Sequence, residues 1–181
     1  GYSSIPHKFA QRCYQNTIPI LVPSTSSERR KYIPMGFLEK GSVVTNSANV
    51  IYESSPAIFG ILTSNIHMLW VRTIAGKLKS DYRYSPQICY NTFPFPLISI
   101  QCASEITQGA FRIIEEREKH SDKTLAQLYD PDKMPEGLQE AHRLNDLAIE
   151  RCYRSKPFES DEKRLEYLFK LYEKMIAEEK G

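Results

Sequence analysis

The sequence lacks a hydrophobic run long enough to cross a membrane. Its most apolar stretch, residues 57–75, is interrupted by Ser64, Asn65, His67 and Arg72, which makes it too polar to span a bilayer. The first six residues, GYSSIP, contain neither the basic block nor the apolar block of a secretory signal. We therefore predict a cytoplasmic protein with no membrane partner.

The sequence also lacks the motifs of a complete enzyme. Its four cysteines form no CxxC pair, and none of them has a histidine nearby at metal-ligand spacing. We therefore predict reduced thiols and no metal. Its four histidines have no Ser, Cys or Asp partner at motif spacing, and we expect His67, beside an apolar stripe, to be structural. Asp132–Lys133 and the run EREK at residues 116–119 contain nuclease-type residues without the nuclease arrangement. We predict no catalytic residue in this chain.

The net charge of +2 conceals two unlike segments. Residues 1–97 contain ten Lys or Arg and four Asp or Glu, a net +6, whereas residues 98–181 contain fourteen and eighteen, a net −4. The change falls at YNTFPFP, residues 90–96, whose prolines are incompatible with a helix or a central strand. We predict two domains, residues 1–97 and 98–181.

The first segment combines short strands with one helix. The β-prone runs are 17–22, 32–37, 42–45 and 49–52, each bounded by turn residues. Pro56 suits a first helical position, the apolar stripe continues to Thr73, and Gly76 suits the end of that helix. This order predicts a mixed or antiparallel sheet with one main helix.

The second segment is helical. Apolar residues recur at helical spacing in residues 98–119, 138–153 and 164–176, and Ser160 or Asp161 is a suitable N-cap for the last helix. The connections between these helices are short and contain proline. The predicted fold class is therefore α+β, a sheet domain followed by a small helical bundle.

The decapeptide GKLKSDYRYS, residues 76–85, alternates charge with uncharged residues. In one extended strand its charged side chains would share one face: Lys77, Lys79, Asp81 and Arg83. A half-buried edge strand is the ordinary explanation for such alternation, but that explanation leaves the single acid among three bases unexplained. We expect Tyr82 and Tyr84, on the opposite face, to pack in the core with their hydroxyl groups bonded.

Long ordered motifs over nearly the whole chain carry a family resemblance. The runs SSERRKYIPMGFLEKG, FGILTSNIHMLWVRTIAGKLKSDYRYS and YNTFPFP resemble the target recognition domain of single-chain, adenine-specific DNA methyltransferases of bacterial type II restriction-modification systems. The runs LYDPDKMP, AHRLND, KPF and RLEYLFKLYEKM resemble the helical C-terminal region of the same family. The resemblance implies a C-terminal fragment that recognises double-stranded DNA.

The resemblance also implies what the rest of such an enzyme provides. The methyltransferase core precedes this region in the family and binds S-adenosylmethionine, and some members carry an endonuclease domain that uses magnesium. This sequence contains neither a glycine-rich loop after a first strand nor an NPPY-type turn for a flipped base. We expect this chain to hold no cofactor and the missing core to be its partner within the same protein.

The resemblance places base recognition on the alternating segment. The family's reading positions match Lys79, Asp81 and Arg83, and a second, looser match falls at Asn46, Ser47 and Asn49. Lysine or arginine suits the guanine acceptors in the major groove, and an acid suits the cytosine amino group. We therefore expect Lys79 and Asp81 to read one G·C pair.

Basic residues outside the reading positions suit the DNA backbone. Arg29, Arg30 and Lys31 follow a serine-rich run, and Lys77 begins the alternating segment. Such residues position a protein on phosphates without reading sequence, although a solvated basic turn explains the triplet equally well. The competing function is a protein interaction module whose alternating segment forms salt bridges. A complete small enzyme is the third alternative and requires a pocket with converging titratable groups.

Overall fold

Two small antiparallel sheets form the first part of the chain. The computed structural model describes residues 17–45, 47–52 and 54–179, so Cys13 and Asn46 lie outside the described residues. The first sheet has the strand order β3–β1–β4, with Gly36–Phe37, Ile20–Pro23 and Ala48–Ile51. The second has the order β2–β6–β5, with Thr25–Ser26, Asp81–Arg83 and Gly76–Leu78. With the helices below, these sheets confirm the α+β class.

Three of the four β-prone runs contain strands, but the run at residues 42–45 does not. Gly41 has a φ of 95°, and the backbone there bonds locally instead of to a neighbouring strand. Ser42 N donates to Glu39 O at 3.1 Å, and Ala48 N donates to Thr45 O at 3.3 Å. The printed backbone bonds at the two ends of this segment are therefore local, and residues 42–45 form no strand.

The single helix predicted between Pro56 and Gly76 is wrong, because two helices occupy the segment. Helix α1 spans Pro56–Leu62, α2 spans Asn65–Ile74, and their axes differ by 53°. The Ser64 hydroxyl accepts from His67 N and thereby caps α2, as serine does at helix starts. Gly76 begins β5 instead of ending a helix.

Helices dominate the second part of the chain. The three predicted helices are present as α3 Ile100–Glu118, α5 Glu136–Tyr153 and α6 Asp161–Glu179. The Ser160 hydroxyl accepts from Lys163 N at 3.3 Å, which identifies Ser160 as the cap of α6. Two short elements were not predicted, a π-helical turn at Pro86–Tyr90 and helix α4 at Leu125–Leu128.

The hydrophobic core joins the two parts of the chain. One cluster packs Ile20 and Phe59 from the sheet side against Ile113 and Leu138 from α3 and α5. A second packs Trp70 of α2 with Leu168 of α6 and with residues of α3 and α5. The predicted boundary at residue 97 stays a prediction, since both clusters draw on both sides of it.

Helices α1, α3 and α5 meet at a contact that has no room for further side chains. The Asn145 side chain of α5 donates from Nδ2 to Gly60 O of α1 at 2.8 Å. A Cβ atom on Gly109 of α3 would lie 2.7 Å from Asn145 Oδ1 and 3.3 Å from Asn145 Cα. Glycine therefore permits the approach of α3 to α5, which the buried amide then ties to α1.

We predict that Gly109→Ala lowers the free energy of unfolding by about 1–3 kcal/mol, the usual cost of overpacking a core. Chemical denaturation of the chain measures the change. Gly76→Ala is the matched control, because a Cβ there meets nothing within 4 Å, and we expect it to change stability by less than about 0.5 kcal/mol. Equal stability of the two variants would contradict the close-contact explanation.

A buried carboxyl group ties α5 to the sheet side. Asp146 Oδ2 accepts from the Tyr32 hydroxyl at 2.7 Å, and Asp146 Oδ1 accepts from Asn65 N at 2.7 Å. The second bond reaches the first turn of α2, where a carboxylate is favourable. Burial nevertheless dominates and raises the pKa of Asp146 to about 6. Tyr32 also stacks on His142 of α5, with ring centroids 4.0 Å apart.

We predict that Asp146 makes the chain less stable as the pH rises from 3.8 to about 6. The folded chain binds the Asp146 proton more tightly than the unfolded chain, so this contribution to stability is lost across that window. It amounts to about 3 kcal/mol at 1.36 kcal/mol per pKa unit. Asp146→Asn should therefore gain most of that stability relative to the parent chain between pH 4 and pH 6.5.

The control for this measurement is Asp122→Asn, which changes an exposed carboxyl group. Its denaturation midpoint should follow that of the parent chain at every pH. Parallel pH curves for Asp146→Asn and the parent would show that Asp146 does not titrate in this range.

No single helix in the part of the chain that the structure describes is long and apolar enough to cross a membrane. Helices α1 and α2 meet criteria of length and composition only as a bent pair. Much of that pair is buried in the protein, including Phe59, Ile61 and Trp70, each at most 1% exposed. Cys89, Cys102 and Cys152 are free thiols.

Candidate nucleic-acid interface

The alternating segment is a β-hairpin instead of the single strand that the sequence indicated. Strand β5 runs to Leu78, the chain reverses at Lys79 and Ser80, and β6 begins at Asp81 directly opposite Leu78. Lys79 has a φ of 59°, at the first of two loop residues. Glycine and asparagine usually occupy such positions, so a lysine there is unusual.

The hairpin redistributes the charged side chains. Directly opposed residues of an antiparallel pair project from the same face, so Leu78 shares a face with Asp81, and Lys77 shares the other face with Tyr82. Asp81 and Arg83 remain together as expected. Lys77 does not join them, because its Nζ lies 5.4 Å from the Tyr82 ring centroid and 3.3 Å from Glu28 Oε2.

Strand β2 completes the sheet and adds a residue to each face. Thr25 is opposite Arg83, and Ser26 is opposite Tyr82. The inner face is buried at Ser26 and Tyr82, which are 2% and 9% exposed, whereas Lys77 at the edge of that face is exposed. The other face, which we call the open face, contains Thr25, Leu78, Asp81 and Arg83. Sequence reasoning missed Thr25 and Leu78, because only the pairing register brings them to this face.

A buried hydrogen bond holds the end of this sheet against α2. The Tyr84 hydroxyl lies 3.1 Å from His67 Nε2, and both side chains are buried. Burial lowers the pKa of His67 to about 3 and raises that of Tyr84 well above its ordinary value, so both groups are neutral near pH 7. The expectation of a structural His67 and of core packing by Tyr82 and Tyr84 is confirmed.

The charged side chains of the open face and of the hairpin loop, Asp81, Arg83 and Lys79, have no ion-pair partner within the described residues. Lys79 and Arg83 are exposed and Asp81 is half-buried. The described residues form nine ion pairs, including Arg29–Asp132 and Lys77–Glu28. None of the nine involves Lys79, Asp81 or Arg83. Their charges are therefore available to a ligand.

The basic triplet is partly engaged within the protein. Arg29 pairs with Asp132 at 2.7 Å, and Arg30 Nη2 donates to Ala126 O at 3.4 Å. These contacts connect the loop after β2 to the segment around α4. Lys31 is exposed, with its Nζ 5.3 Å from the Tyr32 ring centroid, and it makes no ion pair with a described residue. Lys31 is thus the member of the triplet most available to a phosphate.

Asn49 and Ser47 lie next to the second sheet. Asn49 Nδ2 is 3.3 Å from Tyr84 O and 3.4 Å from Ser24 Oγ, so this amide ties β4 to the chain leaving β6. Ser47 is exposed, and its hydroxyl lies 3.0 Å from Thr45 Oγ1. The Asn49 amide therefore has a structural role at least.

The described residues contain no arrangement typical of an active site. A cavity of about 260 Å³ lies between β4 and the π-helical turn, and its lining includes no acid, cation, histidine or cysteine. No group of three His, Cys, Asp or Glu side chains within the described ranges is placed to hold a metal ion. The open face of the second sheet is therefore the candidate functional surface among the described residues.

The family model for the MmeI target recognition domain matches residues 1–97. The chain belongs to this family. The model for the MmeI C-terminal domain matches residues 101–178. The resemblance found in the sequence is thereby confirmed.

Two longer proteins match almost all of this chain. DNA methyltransferase A of Bacillus subtilis (strain 168) is 47% identical over 170 residues, which cover 94% of this chain and 19% of that protein. The solved structure of the type IIL restriction-modification enzyme MmeI in complex with DNA matches with a TM-score of 0.86 and 37% identity. That match covers 90% of this chain and 22% of the MmeI chain. This chain thus spans about a fifth of the length of each relative.

Proposed function

We propose that this chain recognises the DNA sequence at which a larger methyltransferase of a restriction-modification system acts. Its MmeI-type target recognition domain would lay the open face of the second sheet in the major groove. The observation that carries the proposal is a sheet with one face anchored in the core and the other bearing charges that pair with no described residue. The solved relative is a complex with DNA, which agrees with this role.

The open face offers donors and acceptors for base edges. Arg83 suits the two acceptors of guanine, and Asp81 suits the amino group of cytosine. Side chains two residues apart on a strand lie about 6.7 Å apart, or about two base steps of 3.4 Å. Asp81 and Arg83 would therefore read different base pairs. Lys79, at the hairpin loop, would read the guanine paired with the cytosine that Asp81 contacts.

Phosphate repulsion supports a base contact for Asp81. A carboxylate near the DNA backbone is disfavoured electrostatically, and no cation of the described chain pairs with Asp81. Contact with a cytosine amino group would offset that repulsion. Ser47 and Asn49 form a second set of proposed reading positions, in which the Asn49 amide would have to exchange an internal bond for one to a base.

The proposed backbone contacts surround the hairpin. Lys31 is the strongest candidate, since its charge is not paired within the described chain. Arg29 and Lys77 would have to exchange Asp132 and Glu28 for phosphate oxygens. The Arg30 guanidinium donates to a neutral backbone carbonyl, so no acid offsets its positive charge in that bond. Such contacts would hold the sheet in register without selecting sequence.

The remainder of the proposed protein would supply the chemistry. We infer an adenine-specific methyltransferase core that binds S-adenosylmethionine, which donates the methyl group, and a cytoplasmic location. Neither family motif for holding that cofactor or the flipped base occurs in this sequence. Residues 98–181, with a net charge of −4, would have an architectural role, and the packing of α3, α5 and α6 against the recognition part supports it.

Exchanging Lys79 and Asp81 should change the base preferred at one position of the methylated sequence. A bidentate contact contributes about 1–3 kcal/mol of discrimination, so we expect a preference change of about tenfold or more. Aspartate tolerates a positive φ, and the exchange keeps the net charge. Mapping of methylated sites with the full-length methyltransferase that contains this chain measures the result.

The matched control exchanges Asp122 and Lys123, an exposed pair between α3 and α4, and should leave the methylated sequence unchanged. If the Lys79–Asp81 exchange also leaves it unchanged while activity persists, the assignment of these two residues is wrong.

Lys31→Ala should weaken binding equally on all DNA sequences and reduce the salt dependence of binding. Loss of one phosphate contact lowers the slope of log K against log salt by about 0.9. Arg29→Ala should reduce the slope less, because Arg29 already has a partner in Asp132. Titrations of the full-length protein from low to high salt measure the slopes, with Lys174→Ala on α6 as control. An unchanged slope for Lys31→Ala would identify the triplet as a solvated turn.

A further inference from the structure

The open face contains one large apolar side chain that the protein itself does not bury. Leu78 is 58% exposed at the end of β5 and belongs to neither hydrophobic cluster of the described residues. It lies directly opposite Asp81, next to the two-residue hairpin loop of Lys79 and Ser80. A single exposed leucine is ordinary on a protein surface, but here its neighbours are the proposed reading residues.

The chemistry of the major groove explains a leucine at this place. The groove presents hydrogen-bond acceptors, amino donors and one apolar group, the 5-methyl group of thymine. Arg83 matches the acceptors, Asp81 matches the amino donor, and the Thr25 hydroxyl can match either. The Thr25 methyl group can also touch the thymine methyl group, but Leu78 is the member of the open face whose entire side chain is apolar.

We propose that Leu78 contacts the 5-methyl group of a thymine within about two base steps of the base pair that Asp81 reads, an inference that rests on the proposed function. Opposed side chains of an antiparallel pair have Cβ atoms about 4.5–5.5 Å apart. That separation lies between one base step of about 3.4 Å and two. Leu78 and Asp81 therefore read different base pairs that lie close together. The contact makes Leu78 a specificity residue that selects thymine by apolar packing.

The test replaces thymine by deoxyuridine, which removes the methyl group and keeps every hydrogen bond of the base pair. The full-length methyltransferase is assayed on duplexes with one such replacement at a time in the methylated sequence. With the parent protein we expect about fourfold weaker binding at one position, the loss typical of one buried methyl group. Leu78→Ala should bind the thymine and deoxyuridine duplexes equally at that position.

The matched control is Leu97→Ala. Leu97 is 95% exposed, lies before α3 and outside the hairpin, and is the same residue type. This variant should keep the fourfold effect. Thermal unfolding of all variants checks that folding is intact. The inference is overturned if no thymine position is sensitive in the parent protein, or if Leu78→Ala keeps the full sensitivity.

A parallel variant separates this inference from the proposed function. Arg83→Ala, assayed on the same duplexes and on duplexes with each base pair changed, reports whether the open face reads DNA at all. If Arg83→Ala and the Lys79–Asp81 exchange leave base preference unchanged, the proposed function fails. If they change base preference while Leu78→Ala keeps its thymine sensitivity, the Leu78 contact alone fails.

Discussion

The packing of α1, α3 and α5 around Asn145 is the constraint on which the rest of the structure depends. Gly60 and Gly109 bring three helices within reach of one buried amide, which donates to Gly60 O. Because α1 lies before residue 97 and the other two helices follow it, this contact fixes the helical segment to the sheet segment. Asp146, the next residue on α5, extends the connection to Tyr32 and α2.

That rigid support gives the hairpin its two unlike faces. Tyr82 and Ser26 are buried on the inner face, and Tyr84 is held by neutral His67 at the end of the sheet. The open face is left with charged side chains that pair with none of the residues the structure describes. This combination suits a recognition surface, because a backbone held from behind adds little ordering cost of its own when its side chains contact a base.

Most of the helices that were predicted correctly were predicted from the helical spacing of apolar residues. The three long helices of the second segment follow the spacing of their apolar residues closely, and Ser160 caps α6 as expected. The break between α1 and α2 was missed because the apolar stripe continues across it. There the Thr63 hydroxyl donates to Phe59 O, a local bond that threonine also makes inside a helix, and the Ser64 hydroxyl caps the next helix.

The sequence alone determined the α+β class, the helical second segment, the family and the identity of Asp81 and Arg83 as neighbours on one strand face. Only the tertiary structure decided that Lys79 forms a loop and that Leu78, not Lys77, faces outward with Asp81. In a continuous strand every second residue lies on the same face, so all the odd-numbered residues would lie together. A two-residue loop instead pairs odd-numbered residues with even-numbered ones, as Leu78 with Asp81. The sequence of charges is the same for both structures and does not distinguish them.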